Sequence, residues 1–297
     1  MTRTGALPGK GIAVTQVDFD AVRGLIIESL RATSLAPVID DMSESVGGGK
    51  MLRAGLTLKV GAASGTPRDT LLRAAAAIEM VHAASLLHDD VIDVGVLRRG
   101  AHSFWKKKSV SGAILLGDLM ICRAMQMLDG VENGRLSGLL IRLAGEMCDA
   151  EAEQELVARA TGKDWEKCVS LARRKTGSLF AFAAVAAGGP DDNRSEAFTE
   201  AGYRIGTAYQ LADDIMDACG KSAGDGKALG SDARKEKLTS ISASGGAVVQ
   251  IRQCIQDYCT TSVTLLAPWP ASQQAWKEYL QTNLSPVIQR FAGEGSP

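Results

Sequence analysis

The chain has 297 residues, and its 33 lysines and arginines nearly balance its 34 aspartates and glutamates, which leaves a formal net charge of −1. This balance gives no bulk attraction to nucleic acid, which we do not expect as a partner. The hydrophobic fraction of 45% and the charged fraction of 23% exclude disordered and fibrous classes. The length allows a substantial buried core in one or two domains.

Helix-forming residues dominate the chain, which has no proline between Pro67 and Pro190. Apolar residues such as Leu72, Ala76 and Met80 recur every three or four positions, and no segment alternates as a strand would. In chain order, the pattern predicts helices over residues 18–32, 34–45, 50–64, 68–93, 109–128, 134–159, 164–187, 195–218, 246–266 and 272–291. We expect an all-α fold, with residues 1–297 forming a single-domain helical bundle.

Two segments interrupt this pattern. We expect residues 1–16 to be disordered, and residues 220–238 to form a mobile, exposed loop because they concentrate Gly, Lys and Asp. The N-terminal sequence lacks the apolar segment of a signal peptide, and no run approaches the roughly 18 uninterrupted apolar residues of a membrane span. The six cysteines include no Cys-x-x-Cys pair, so we expect neither a zinc site nor a disulfide framework. The prediction is a soluble, cytoplasmic protein with no membrane span.

Two acidic motifs of the form Asp-Asp-x-x-Asp occur at the ends of predicted helices, and each places its first and last carboxylates one turn apart on one face. Their members are Asp89, Asp90 and Asp93 in the first motif, and Asp213, Asp214 and Asp217 in the second. Ionised carboxylates about 5 Å apart repel by about 3 kcal/mol at an effective dielectric near 20, which a cation would relieve. One such motif alone would more often be an exposed helix end, but a pair favours Mg²⁺, which takes oxygen ligands and substrate phosphates.

Basic residues accompany these motifs. Lys50 and Arg53 follow three glycines, and Arg98 and Arg99 follow the first motif. The glycine segment is not a Walker loop, because its spacing is wrong and Met51 stands where Ser or Thr is required. Either segment alone would be a solvated turn, whereas beside two metal sites these cations can bind phosphate groups.

From about residue 47 to residue 239, the chain resembles the trans-isoprenyl diphosphate (polyprenyl) synthases. The matching blocks, in order, are GGGKMLR, EMVHAASLLHDDVIDVGVLRRG, GAILLGD, RRKTGSLF, GTAYQLADDIMD and a GK-x-x-G-x-D loop. The resemblance implies an isoprenoid synthase fold, a helical bundle around a deep central cavity, and a homodimer. It also implies a prenyltransferase that condenses isopentenyl diphosphate head-to-tail with an allylic diphosphate, assisted by three Mg²⁺ ions per active site.

The resemblance assigns roles to individual positions. The diphosphate of isopentenyl diphosphate would be held by Lys50, Arg53, His82 and Arg99. The allylic diphosphate would be held by Arg98, Lys175, Lys227 and, as a further contact, Lys237. The direct Mg²⁺ ligands would be Asp89, Asp93 and Asp213, with Asp90, Asp214 and Asp217 as outer-shell or alternate ligands. Thr176 and Gln210 would lie beside the developing carbocation, so that Lys175, Thr176 and Gln210 form the catalytic group.

Product length in the resembled family depends on bulk below the first motif. Ala84 and Ser85, five and four residues before Asp89, are small, which favours a C20 product or longer. Met120 could limit the depth available to the product if it is not simply part of the core. Ala54 and Gly177 depart from the usual residues, but neither change removes a charge or a ligand. The alternatives are a farnesyl diphosphate synthase, a class I terpene cyclase and a non-catalytic subunit of a heteromeric synthase.

Overall fold

Helices make up nearly all of the part of the chain that the computed structural model describes, which is residues 15–39, 48–98, 100–157, 164–219 and 238–292. The first half contains α1 (Gln16–Arg31), α2 (Leu52–Ser64), α3 (Arg68–Ile92), α4 (Phe104–Lys107), α5 (Val110–Met127) and α6 (Arg135–Leu156). The second half contains α7 (Trp165–Ala172), α8 (Ser178–Gly188), α9 (Asp192–Cys219), α10 (Ser240–Ser244), α11 (Val248–Leu265), α12 (Pro270–Tyr279) and α13 (Ser285–Ala292). Short 3₁₀ turns lie at Ala36–Val38 and Val131–Gly134.

The hydrophobic core is arranged around α8, in which every residue from Ser178 to Gly188 is buried. One buried cluster joins α1, α3, α5 and α6 to α8, and a second joins α2, α9, α11, α12 and α13 to it. A helix that is apolar on all sides belongs in the centre of such a bundle. The all-α prediction is confirmed, and the two clusters place the ends of α3 and α9 on either side of the central helix.

Most predicted helices are confirmed to within a few residues, but the helix predicted over residues 34–45 is wrong where it is described. The hydroxyl of Thr33 donates to the carbonyl of Leu30 at 2.6 Å and accepts the backbone N–H of Leu35 at 3.2 Å, which ends α1. Pro37 has no N–H to donate, and the segment forms only the short 3₁₀ turn. Residues 40–47 lie outside the described part.

Both segments predicted to be irregular extend too far. Thr15 and Asp18 form a reciprocal cap at the start of α1, so the predicted disordered N-terminal segment includes residues that are ordered. Leu238 is buried, and its carbonyl accepts the side-chain amide of Gln154 at 3.2 Å, so the predicted loop ends before it. The rest of these two predictions, residues 1–14 and 220–237, lies outside the described part.

A short hairpin follows α3, although no strand was predicted. Strand β1 (Leu97–Arg98) pairs antiparallel with β2 (Ala101–His102), and Gly100 adopts a φ of +77° in the turn. The carbonyl of Gly95 accepts both the hydroxyl of Ser103 at 2.6 Å and the indole N–H of Trp105 at 2.8 Å. These two bonds fix the hairpin against the end of α3.

A π-helical turn at Arg173–Gly177 interrupts the single helix predicted over residues 164–187. This turn packs closely on α9, because a Cβ on Gly206 would lie 2.5 Å from the Cα of Gly177. Such π turns are frequent at functional sites. A second π turn, at Leu280–Leu284, separates α12 from α13.

Two helices in the described part, α3 and α5, are long and apolar enough to cross a membrane by length and composition. The apolar segment of α3 is 67% buried within the protein, as expected for a core helix, whereas that of α5 is only 28% buried. The exposed face of α5 includes Ile114 and Leu115.

Candidate active site

The first acidic motif lies at the C-terminal end of α3, where Asp89 and Asp93 are half-buried and Asp90 is buried. The guanidinium of Arg98 on β1 binds Asp90 through two atoms, with Nε 3.0 Å from each carboxylate oxygen and Nη2 2.6 Å from Oδ1. The middle carboxylate of this motif therefore has a structural role, because it holds the hairpin at the end of α3.

The pKa of Asp89 is raised above its ordinary value. Burial raises the pKa to about 6, and the charges of Glu151 and Asp93 raise it further while Lys175 and Arg98 oppose them. A cation placed beside Asp89 would relieve both the desolvation and the repulsion.

The second acidic motif lies near the end of α9, with Asp213 half-buried and Asp214 and Asp217 buried. The carboxylate of Asp214 accepts the side-chain amide of Gln210 at 2.9 Å and the backbone N–H of Ser240 at 2.7 Å. The middle carboxylate of this motif also has a structural role, because it holds the start of α10 against α9. The middle aspartate of each motif thus holds a neighbouring segment in place, Arg98 of the hairpin in the first motif and Ser240 of α10 in the second.

The π turn contacts α6 and the second motif, and one of its charges acts on the first motif. The ammonium group of Lys175 lies 2.8 Å from the carboxylate of Glu151 on α6, whose charge acts on Asp89. The next residue, Thr176, is buried and donates its hydroxyl to the side-chain oxygen of Gln210 at 2.7 Å, and Gln210 in turn donates to Asp214. Lys175, Thr176 and Gln210, predicted as a catalytic group, lie between the two motifs.

The residues predicted to hold isopentenyl diphosphate differ in exposure. Lys50 is exposed, His82 is half-buried and Arg53 is buried, with its guanidinium carbon 4.8 Å from the ring centre of Phe180. The structure does not describe the remaining predicted diphosphate contacts, Arg99, Lys227 and Lys237, so those assignments stay predictions.

The two predicted chain-length residues lie on α3 next to α5. Ala84 is fully buried in the same cluster as Met120, whereas Ser85 is half-buried and donates its hydroxyl to the carbonyl of His82 at 2.9 Å. The approach of α5 is close, because a Cβ on Gly117 would lie 2.3 Å from Nε2 of His88. Small residues therefore line α3 directly below the first motif.

Two glutamates at the site were not identified from the sequence. The first is Glu151 of α6, whose carboxylate accepts the ammonium group of Lys175 at 2.8 Å, as the side-chain oxygen of Gln154 on the same helix does at 3.1 Å. Glu79 of α3 is buried and accepts the backbone N–H of Ala54 at 2.9 Å. Neither Glu151 nor Glu79 belongs to an acidic motif. Each is identified only by its contact with a different element of the fold.

The donor set at the two motifs fits Mg²⁺. Within the described ranges, no three metal-binding side chains of the His, Cys, Asp or Glu types are grouped closely enough to hold an ion by themselves. Mg²⁺ binds through one or two carboxylates and completes its octahedron with water and substrate phosphates, so a pair of carboxylates on each helix suffices. Asp89 and Asp93 on α3, and Asp213 with Asp217 on α9, would supply these ligands.

Comparison with known proteins gives consistent matches. Residues 36–250 match the family model described as polyprenyl synthetase. The geranylgeranyl diphosphate synthase of Methanosarcina mazei is 32% identical over 205 residues, which cover 65% of this chain and only 62% of the relative. The geranylgeranyl diphosphate synthase of Rhodobacter capsulatus is 31% identical over 82% of this chain and 83% of the relative. The crystal structure of a decaprenyl diphosphate synthase from Rhodobacter capsulatus aligns with a TM-score of 0.79 and 25% identity, over 93% of this chain and 96% of that chain.

Proposed function

Because the chain belongs to the polyprenyl synthetase family, we propose that it is a trans-prenyltransferase that condenses isopentenyl diphosphate head-to-tail with an allylic diphosphate. The observation that carries this proposal is the pair of hydrogen bonds that joins Thr176 to Gln210 and Gln210 to Asp214, beside Lys175, whose charge acts on Asp89. It supports a single site in which carboxylates, a cation and two neutral oxygen groups act together.

In the proposed reaction, the allylic carbon–oxygen bond breaks first, and the diphosphate leaves with the bonding electrons. Lys175 and Arg98 would donate to that diphosphate, after giving up their contacts with Glu151 and Asp90. Bound Mg²⁺ would supply further neutralisation of the leaving group. The oxygen dipoles of Thr176 and Gln210 would stabilise the allylic cation, and the apolar surroundings would keep water away from it.

The second step joins the two substrates. The double bond of isopentenyl diphosphate, held by Lys50, Arg53 and His82, attacks the allylic cation and forms the new carbon–carbon bond. The resulting cation loses a proton, which we assign to the released diphosphate. Arg99, Lys227 and Lys237 keep their proposed roles in the two diphosphate subsites.

We propose a C20 product or a longer one. Ala84 and Ser85 leave α3 without bulk below the first motif, and a prenyl chain would descend along this helix. Met120 does not change this choice, because its side chain is already buried in the core.

We also propose a homodimer located in the cytoplasm. The exposed apolar side chains Ile114 and Leu115 on α5, together with Ile141 on α6, support a second copy as the partner that covers them. Nearly neutral charge supports the absence of a nucleic-acid partner.

Incubation of the purified protein with isopentenyl diphosphate, Mg²⁺ and C5, C10 or C15 allylic diphosphates tests this function. We expect elongated linear diphosphates, detected by mass, with C20 as the main product. Failure to elongate any of the three primers would contradict the proposal and favour a non-catalytic subunit, whereas a cyclised hydrocarbon would favour a terpene cyclase.

A further inference from the structure

Helix α2 begins without a capping side chain of its own. Met51 occupies the N-cap position in a left-handed conformation, with a φ of 47°, and makes no side-chain cap bond. The first N–H groups of a helix need acceptors from elsewhere. One of them, the N–H of Ala54, donates to Oε1 of Glu79 on the neighbouring helix α3, at 2.9 Å. Glu79 therefore serves as a cap supplied by another helix, at the end where the helix dipole favours an anion.

The carboxylate of Glu79 is buried, with only 7% of the residue exposed. A buried charge is stable only when another charge compensates it. Arg53, on the first turn of α2, is 8% exposed, and the charge of Glu79 opposes the lowering of the Arg53 pKa that burial causes. Because Glu79 binds the N–H of Ala54, the residue next to Arg53, the two buried charged residues lie together at the start of α2.

Arg53 is also held by its other neighbours. Its guanidinium lies over the ring of Phe180, with 4.8 Å between the guanidinium carbon and the ring centre. The backbone beside it is also held, because the carbonyl of Leu52 accepts the hydroxyl of Tyr279 on α12 at 3.0 Å. Phe180 and this backbone bond therefore restrict where the guanidinium can lie.

We infer that Glu79 is a positioning residue, which fixes the guanidinium of Arg53 for the diphosphate of isopentenyl diphosphate. This inference rests on the proposed function, because that function gives Arg53 its ligand. An arginine that is already held in place loses less conformational freedom when it binds. Loss of the Glu79 charge should therefore weaken the binding of one substrate and spare the other.

The first test is the kinetics of Glu79→Gln. Glutamine keeps an oxygen that can accept the N–H of Ala54 but removes the charge. We expect the KM for isopentenyl diphosphate to rise about tenfold, while kcat and the KM for the allylic diphosphate stay within about twofold. The control is Thr66→Val, which removes a buried hydroxyl bonded to the carbonyl of Ala187 at 2.8 Å, beyond the other end of α2. This control should leave both KM values unchanged.

The second test measures thermal unfolding in two backgrounds. Glu79→Gln should lower the Tm of the wild-type protein, because it leaves the guanidinium of Arg53 buried without its countercharge. The same substitution should raise the Tm of Arg53→Gln, because there it removes an uncompensated carboxylate. Shifts of the same sign in both backgrounds would overturn the pairing of the two charges.

The two tests separate this inference from the proposed function. A wild-type protein that is active, with Glu79→Gln raising both KM values equally or neither of them, would overturn the positioning role and leave the function intact. A wild-type protein that performs no prenyl transfer would overturn the function and, with it, the role of Glu79 toward that substrate. If Glu79→Gln does not fold, Glu79→Asp replaces it, and we expect that variant to raise only the KM for isopentenyl diphosphate.

Discussion

The middle aspartates of the two acidic motifs have different surroundings from Asp89. Asp90 binds Arg98, and Asp214 binds Gln210 and the N–H of Ser240, so both middle carboxylates hold parts of the protein together. Asp89 is instead desolvated and close to other negative charges. The outer-shell role of Asp90, Asp214 and Asp217 stays a prediction.

The pKa of Asp89 predicts how the stability of the metal-free protein depends on pH. Burial raises this pKa from 3.8 to about 6, so between these values the folded protein holds a proton that the unfolded chain has released. Stability should therefore fall as the pH rises through this window, by at most about 3 kcal/mol. Thermal melts without divalent cations should show a smaller fall for Asp89→Asn. Equal slopes in the two proteins would contradict the assigned cause.

Thr176 offers a test of the oxygen groups beside the cation. Thr176→Val keeps the volume of the side chain but removes the hydroxyl that donates to Gln210. We expect kcat to fall by about tenfold or more, with both KM values nearly unchanged, because the loss affects the transition state. The control is Thr207→Val, since the buried hydroxyl of Thr207 donates to the carbonyl of Tyr203 within its own helix. A similar fall in kcat for both variants would point to a general packing effect.

At the scale of elements, the sequence predicts the helices better than their interruptions. The apolar repeat predicts α3 and α5 because it extends over many residues, whereas it gives no sign of the π turn or of its close packing at Gly206. Glycines within predicted helices were the available signal for close packing. The hairpin depends on contacts of Ser103 and Trp105 with Gly95, which no local repeat encodes.

The same limit applies to the site. Regular spacing revealed the two acidic motifs, whereas the contacts of Glu151 with Lys175 and of Glu79 with Ala54 join residues that lie 24 and 25 positions apart on different helices. Such contacts become visible only when the helices are packed.

Gly206→Ala tests the packing of the π turn against α9. The added methyl group would lie 2.5 Å from the Cα of Gly177, so the two elements must separate. We expect a loss of stability of about 1–3 kcal/mol, measured by urea unfolding, together with lower kcat. Gly138→Ala on α6 is the matched control, because its methyl group would meet nothing within 4 Å. That variant should be about 0.5–1 kcal/mol more stable, and equal destabilisation of both would contradict the account.

At the scale of the whole molecule, the exposed face of α5 predicts a dimer in solution. Leu115 is 67% exposed, and its replacement by Asp should convert the dimer to a monomer in analytical ultracentrifugation, because a buried charge opposes association. Val249 on α11 is 79% exposed and lies on a different helix. Val249→Asp should leave the dimer intact. A wild-type monomer, or the same effect from both substitutions, would contradict the proposed interface.

If both acidic motifs serve one metal-dependent site, an alanine in either motif should remove most of the turnover. Three alanine variants test this expectation. Asp89→Ala and Asp213→Ala should each lose about 100-fold or more in kcat with isopentenyl diphosphate, an allylic diphosphate and Mg²⁺. Asp191→Ala should stay near the wild-type value, because the side chain of Asp191 accepts the N–H of Asn193 and pairs with Arg194 at the start of α9. Comparable turnover in all three variants would contradict this expectation.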